Sequence, residues 1–108
     1  MPVSVVRLNQ RRVNFTTYIG REVYSGNGLP QSPFHNPFHI GKDGTRDEVI
    51  AKFAAYWYDA KQWKLRQTAV IMFDDYETLG CWCHPDRCHG DIIAGYVNWK
   101  RQEVGLWD

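Results

Sequence analysis

The chain is expected to fold as a small single-domain α/β protein, a sheet with helices packed on it and a functional site at a strand-to-helix junction. Three observations predict this. Short β-branched and aromatic segments open the chain and recur before a cysteine-rich stretch, as strands do. Two later segments carry apolar residues at helical spacing. The resulting order of two strands, a loop, a helix, a strand and a helix is that of helices covering a sheet. A chain of 108 residues is long enough for one core and not for two.

Each element has its own signal. Val3 and Val5 alternate with Ser4 and Arg7, an opening strand. Thr16 to Ile19 is β-branched and aromatic, a second strand that ends at Gly20. Ser25 to Asp43 is rich in Gly, Pro, Ser and Asn, which predicts a long loop, and Phe34 and Phe38 argue that it is ordered. Thr45-Arg46-Asp47-Glu48 is a capping-box sequence, with Glu48 placed to reach back to the cap. Val49, Phe53, Tyr56, Trp57 and Ala60 then share one helical face. Leu65 to Tyr76 is ambiguous: Ala69 to Phe73 reads as a buried strand, yet Ala69, Met72, Phe73 and Tyr76 equally fit a helical stripe. Thr78 to Cys83 reads as a strand whose exit loop is the cysteine segment. Ile92, Ile93, Tyr96 and Val97 mark a closing helix that begins near His89 to Asp91. The five tryptophans are read mostly as core residues.

Composition narrows the function classes. At 44% hydrophobic and 15% aromatic, the chain is that of a folded domain. A net charge of +1 does not by itself predict a nucleic-acid binder. No apolar run approaches the roughly 20 residues of a membrane span, and no signal peptide opens the sequence. Three cysteines is an odd number, which disfavours a disulfide framework and suggests a reducing, cytoplasmic setting.

All three cysteines fall in the segment from Gly80 to Asp91, with two of the four histidines. Such a cluster binds a metal or presents a reactive thiol. Cys81 and Cys83, two apart on a strand, point to the same face. A turn at Pro85-Asp86 returns Cys88 and His89 to that neighbourhood. Three thiolates and one imidazole make a tetrahedral zinc set, here Cys81, Cys83, Cys88 and His89. The spacing is not that of a zinc finger, and His84 and water compete as the fourth ligand. A metal that only staples a loop is the plainer version of this reading. The rival is a catalytic thiol: Cys88 precedes a helix, whose N-terminus favours the thiolate, with His84 or His89 as base. Asp91 completes the candidate catalytic group, although the helix dipole alone favours a carboxylate there. Inert buried cysteines are the bland alternative.

The other constellations are weaker. Arg7, Arg11, Arg12 and Arg21 can form a phosphate-binding patch, against the alternative of a solvated charged surface. His35 and His39 flank Asn36-Pro37-Phe38, where they either bind a ligand or are satisfied locally. Asn36, Pro37 and Phe38 are candidate ligand contacts: an amide for a base edge or a turn, a fixed turn, and a stacking face.

Taken together, Tyr18-Ile19-Gly20-Arg21, Asn36-Pro37-Phe38 with Ile40-Gly41, Asp43-Gly44-Thr45-Arg46 with Glu48-Val49-Ile50, and Cys81-Trp82-Cys83 through Pro85 to Cys88-His89-Gly90-Asp91 resemble a family of small bacterial and phage proteins catalogued as domain of unknown function number 4326. The cysteine segment is the most specific match. His84 is outside the family pattern, which favours His89 as the functional histidine. The resemblance implies an α/β fold and a site joining the Asn-Pro-Phe loop to the cysteine segment, and it brings no established activity. The expected function is a zinc-binding enzyme acting on a nucleobase or nucleotide. Phage members point to DNA-base modification by group transfer, such as methylation, although no glycine-rich Rossmann fingerprint is present. The alternative is a non-enzymatic, zinc-stabilised binding module for nucleic acid or protein.

Overall fold

The computed structural model describes residues 3–7, 17–21, 31–73, 77–81 and 88–103, with the backbone alone at Val6, Arg7, Cys81 and Glu103. Three strands, β1 (Ser4–Arg7), β2 (Thr17–Tyr18) and β3 (Thr78–Cys81), form a parallel sheet in the order β1-β3-β2. β3 is the last strand in sequence and the central one in space. Its register sets Arg7 beside Cys81 and Tyr18 beside Gly80, so all three strand C-termini share one edge. A central parallel strand is covered on both faces, and Leu79 of β3 is fully buried.

Side chains from elsewhere finish the outer strands. Val3 N–H donates to Asn98 Oδ1 at 2.7 Å, and Asn98 Nδ2 returns a bond to the Val3 carbonyl at 3.0 Å. On the β2 side, Thr17 Oγ1 donates to Glu77 Oε1 at 2.7 Å. Glu77 is buried, and a buried carboxylate needs such partners.

The first helix, α1 (Arg46–Tyr58), begins with the expected capping box, Thr45 and Glu48 each accepting from the other's backbone N–H. Hydrogen bonds from Thr45, backbone before side chain, hold the Glu48 carboxyl below its ordinary value, and Lys52 adds to the effect. Val49, Ile50, Phe53 and Trp57 form its buried face. Arg66 closes the far end, Nη1 donating to the carbonyls of Trp57 at 2.5 Å and Asp59 at 2.7 Å. The Trp57 carbonyl is one that a helix end leaves without an internal partner, and Asp59 is the residue that caps this end.

After one 3-10 turn, Ala60–Gln62, the ambiguous segment is a helix, α2 (Trp63–Met72). Its buried stripe is rotated from the one expected: Ala69 is fully buried, whereas Ile71 and Met72 are 72% and 65% exposed. The reason is the contact surface. α2 packs on the closing helix, α3 (His89–Glu103), and only the side facing α3 is covered. Arg101 of α3, itself buried, donates Nη2 to the Val70 carbonyl at 2.9 Å.

α3 touches β1, β3, α1 and α2, and its Ile93 and Val97 are fully buried. Phe34, from the long loop, joins this core with its ring edge-on to Phe73 at 5.2 Å. The tryptophans divide. Trp57 is fully buried, Trp63 and Trp99 are exposed, and Trp82 and Trp107 lie outside the described residues. The exposed pair sits beside lysines, Lys64 Nζ lying 5.6 Å from the Trp63 ring and Lys100 Nζ 5.7 Å from the Trp99 ring. Their indoles face water at helix surfaces, where a large amphipathic ring is tolerated. Among the described residues, no helix is long and apolar enough to cross a membrane.

Candidate functional site

The C-terminal edge of the sheet is where the separate motif segments meet. β2 ends at Tyr18, whose hydroxyl folds back to donate to the Arg21 carbonyl. The phenol crosses Gly20 so closely that a Cβ there would stand 2.3 Å from the hydroxyl oxygen. A side chain at Gly20 would displace the Tyr18 ring from this position. Its carbonyl accepts from Ser32 N–H at 3.0 Å, which starts the stitching of the long loop to the strand exit.

Arg21 continues it. One guanidinium nitrogen, Nη2, donates to the carbonyls of Asn36 at 2.8 Å and Phe38 at 2.5 Å. Asn36 Oδ1 accepts from Phe38 N–H at 2.9 Å, the local turn an asparagine of this kind forms. His35 Nδ1 is 2.7 Å from the Ser32 carbonyl. His39 is exposed at its ring, and its backbone N–H donates to Asp43 Oδ2 at 2.7 Å. The loop thus holds its shape through Arg21, and Pro37 stands exposed at its tip.

A run of aromatic contacts leads from this loop to the cysteine segment. Phe38 meets Tyr56 edge-on at 6.3 Å, Tyr56 meets Phe53 at 5.7 Å, and Phe53 meets the His89 ring edge-on at 5.1 Å. His89 opens α3 and is only 6% exposed. Its Nε2 lies 2.7 Å from the Ile19 carbonyl. A carbonyl oxygen only accepts, so Nε2 carries the proton. In the neutral ring the lone pair is then on Nδ1, and no described residue bonds that atom.

The neighbours of His89 fix the helix start. Gly90 packs against strand side chains: a Cβ there would come within 2.7 Å of Ile19 Cδ1 and 3.1 Å of Val5 Cγ2. Asp91 Oδ2 accepts from Cys88 N–H at 3.0 Å, closing the first turn as half of a capping box. Cys88, 3% exposed, belongs to the hydrophobic core cluster.

Of the candidate residues, the structure brings Arg21, Asn36, Phe38, Cys88, His89 and Asp91 into one connected region. The backbones of Arg7 and Cys81 lie side by side at the ends of β1 and β3. Arg11, Arg12, Cys83 and His84 lie outside the described residues, as do the side chains of Arg7 and Cys81. Among the described residues, no three His, Cys, Asp or Glu side chains gather as a metal site. Sequence reasoning gave the Ile19 carbonyl no role, and it placed Gly20 and Gly90 in the motifs without their packing contacts. Glycines at a strand exit and in a first helical turn were the available signal, since each marks a close approach.

These features define a small parallel α/β protein whose loop and helix N-terminus converge on the C-terminal edge of the sheet, the usual location of sites in such folds. The chain belongs to the family described as Domain of unknown function (DUF4326), whose model matches residues 3–99. Comparison with curated proteins and with solved structures yields no match.

Proposed function

We propose that the protein is a zinc-binding enzyme acting on a nucleobase or nucleotide, with group transfer to a DNA base, such as methylation, as its reaction class. The observation that carries this reading is the convergence of Tyr18 to Arg21, Asn36 to Phe38 and Cys88 to Asp91 on one edge of the sheet.

Zinc would be held by Cys81, Cys83, Cys88 and His89. What supports this is His89: its buried imidazole has one nitrogen bonded to a backbone carbonyl, an outer partner typical of metal-ligating histidines. A reducing, cytoplasmic setting would keep the thiols available as ligands. When bound, zinc supplies either a closed structural staple or a Lewis acid beside the ligand.

The other residues take distinct roles. Asn36 keeps its amide nitrogen for a base edge while Oδ1 closes the turn. Phe38 offers its outer face for stacking. Arg21 positions the loop, and phosphate attraction falls to Arg7, Arg11 and Arg12. Asp91 orients the first turn of α3.

One observation favours a second reading. Arg21, Asn36 Oδ1 and Asp91 Oδ2 all bond to backbone groups of the protein itself. That suits a zinc-stabilised binding module for nucleic acid or protein. Calorimetry of the zinc-loaded protein with nucleobases, nucleotides and short oligonucleotides separates the two. The enzyme reading expects saturable nucleotide binding that weakens with salt and with Arg11→Gln plus Arg12→Gln. Absence of nucleobase, nucleotide and oligonucleotide binding, in protein that carries zinc, rejects the enzyme reading and leaves a protein-binding module.

A further inference from the structure

We infer that the face formed by Tyr58, Tyr96 and Trp99 is a docking surface for single-stranded DNA, with Lys61, Lys64 and Lys100 as partners for its phosphates. This rests on the nucleic-acid reading above and specifies where a strand lies, away from the sheet edge. The first observation is a row of rings contributed by two helices. Tyr58, the last residue of α1, meets Tyr96 of α3 edge-on at 5.8 Å, and Tyr96 meets Trp99 at 6.1 Å. Tyr96 is in turn seated edge-on against the buried Trp57 at 5.8 Å. The outer two rings are 54% and 55% exposed. The fold thus holds the row from beneath and leaves its outer rings to water. A base stacks on such a ring whatever its identity, because every base has a π-face. Burial first, and Tyr96 second, raise the pKa of the Tyr58 hydroxyl, so this ring brings no negative charge towards a phosphate.

Charge separates this face from a merely apolar one. Residues 58–66 and 96–103 contain five basic residues, Lys61, Lys64, Arg66, Lys100 and Arg101, against two acids, Asp59 and Glu103. The whole chain has a net charge of only +1, so these two segments are positive and the remainder is negative. Local asymmetry of this kind is what attracts a polyanion to a nearly neutral protein. Lys61 and Lys64 are exposed, and Lys100 Nζ lies 5.7 Å from the Trp99 ring. An indole beside an ammonium offers one nucleotide both a stacking face and a phosphate partner. An acidic peptide would use the lysines and leave the flat rings without a matching plane, so a nucleic-acid strand fits both features.

Fluorescence anisotropy of the full chain with a labelled oligothymidylate tests this, with thymidine monophosphate and a labelled polyglutamate as further probes. Tyr58→Leu and Trp99→Leu keep apolar bulk against Tyr96 and remove the flat ring. Trp99→Phe restores a ring, and Lys61→Gln with Lys64→Gln removes exposed charge. Melting curves check that each variant is folded, as expected for exposed positions. The expected result is oligothymidylate binding that weakens about tenfold in each leucine variant, recovers in Trp99→Phe, and has a shallower salt dependence in the lysine variant. Oligothymidylate bound equally well by the leucine variants overturns the inference and leaves the nucleic-acid reading standing. Binding of the mononucleotide without the oligonucleotide also overturns it and leaves the site at the sheet edge. Polyglutamate bound as tightly as oligothymidylate, with both weakened by the lysine variant alone, makes the face a plain cationic surface and overturns it too. A protein that binds neither mononucleotide nor oligonucleotide defeats both.

Discussion

The two ends of α3 are built differently. At its C-terminal half, buried polar side chains clasp other elements of the fold. Asn98 pairs with both backbone groups of Val3, and the Arg101 guanidinium caps α2 through the Val70 carbonyl. Its aromatic surroundings, Tyr96 with Trp57, Tyr58 and Trp99, are hydrophobic scaffolding that thins outward into exposed rings. At the N-terminal end, His89 is buried with Nε2 bonded to the Ile19 carbonyl, and the neighbouring Cys88 is buried in the core. The motif segments gather at that end alone. The two ends of one helix thus differ in what they gather: packing and clasping contacts at one, the motif segments at the other.

The largest expected effect bears on the aromatic support shared by both ends. Phe53 is fully buried, stacks on Trp57 at 6.1 Å and meets His89. Phe53→Ala should cost about 3–5 kcal/mol in denaturant unfolding. Trp99→Ala, on an exposed ring at the other end, should stay within about 0.5 kcal/mol. Equal losses would show that the core does not run beneath the candidate site.

Two glycines of the same helix sharpen the contrast by sign. Gly90→Ala forces a methyl into Ile19 and Val5 and should destabilise by about 1–3 kcal/mol. Gly95 is exposed and nothing lies within 4 Å of a Cβ placed there. Gly95→Ala should stabilise by about 0.5–1 kcal/mol through helix propensity. Melting curves of the two variants shifted in the same direction would remove the close approach of α3 to the sheet.

Arg21→Met should cost about 2 kcal/mol, since it deletes charged hydrogen bonds to two loop carbonyls. Hydrogen exchange should then speed up at residues 32 to 38 while α2 keeps its protection. Uniform acceleration across the chain would mean that the loop is not held separately through Arg21.

A smaller effect concerns the start of α1. Thr45→Ala removes the capping box and should cost about 1 kcal/mol. The capped Glu48 carboxyl has a depressed pKa in the folded state, so its contribution is present above the unfolded value of 4.5. That contribution is lost as pH falls through the lower folded value. The wild type should therefore lose part of its advantage over Thr45→Ala on acidification below that range. A difference between the two proteins that stays constant from neutral to acidic pH would contradict the capping account.

What the sequence reveals follows the range of the interactions. The capping box at Thr45, the strand around Val5 and the closing helix are local, and their residues announce them. α2 is ambiguous because Ala69 to Phe73 is apolar in both periods, and only contact with α3 decides which face is inside. The clasp of Asn98 on Val3 and the burial of Arg101 join residues far apart in sequence, with no local pattern to reveal them. At the site, the clustering of Cys81, Cys83, Cys88 and His89 is conspicuous in the sequence. The role of Arg21 is not: an arginine that grips two carbonyls looks, in sequence, like one that waits for phosphate. The Ile19 carbonyl has no sequence signature because it is main chain.

The central claim is that the N-terminal end of α3 holds a metal. Elemental analysis of protein purified without added metal tests it most directly, paired with unfolding in the presence and absence of a chelator. The account predicts one zinc per chain, lost in Cys88→Ser, and a protein whose stability falls when zinc is withdrawn, because metal-binding energy is then part of folding energy. Metal-free protein whose unfolding curve is unchanged by chelator would contradict it.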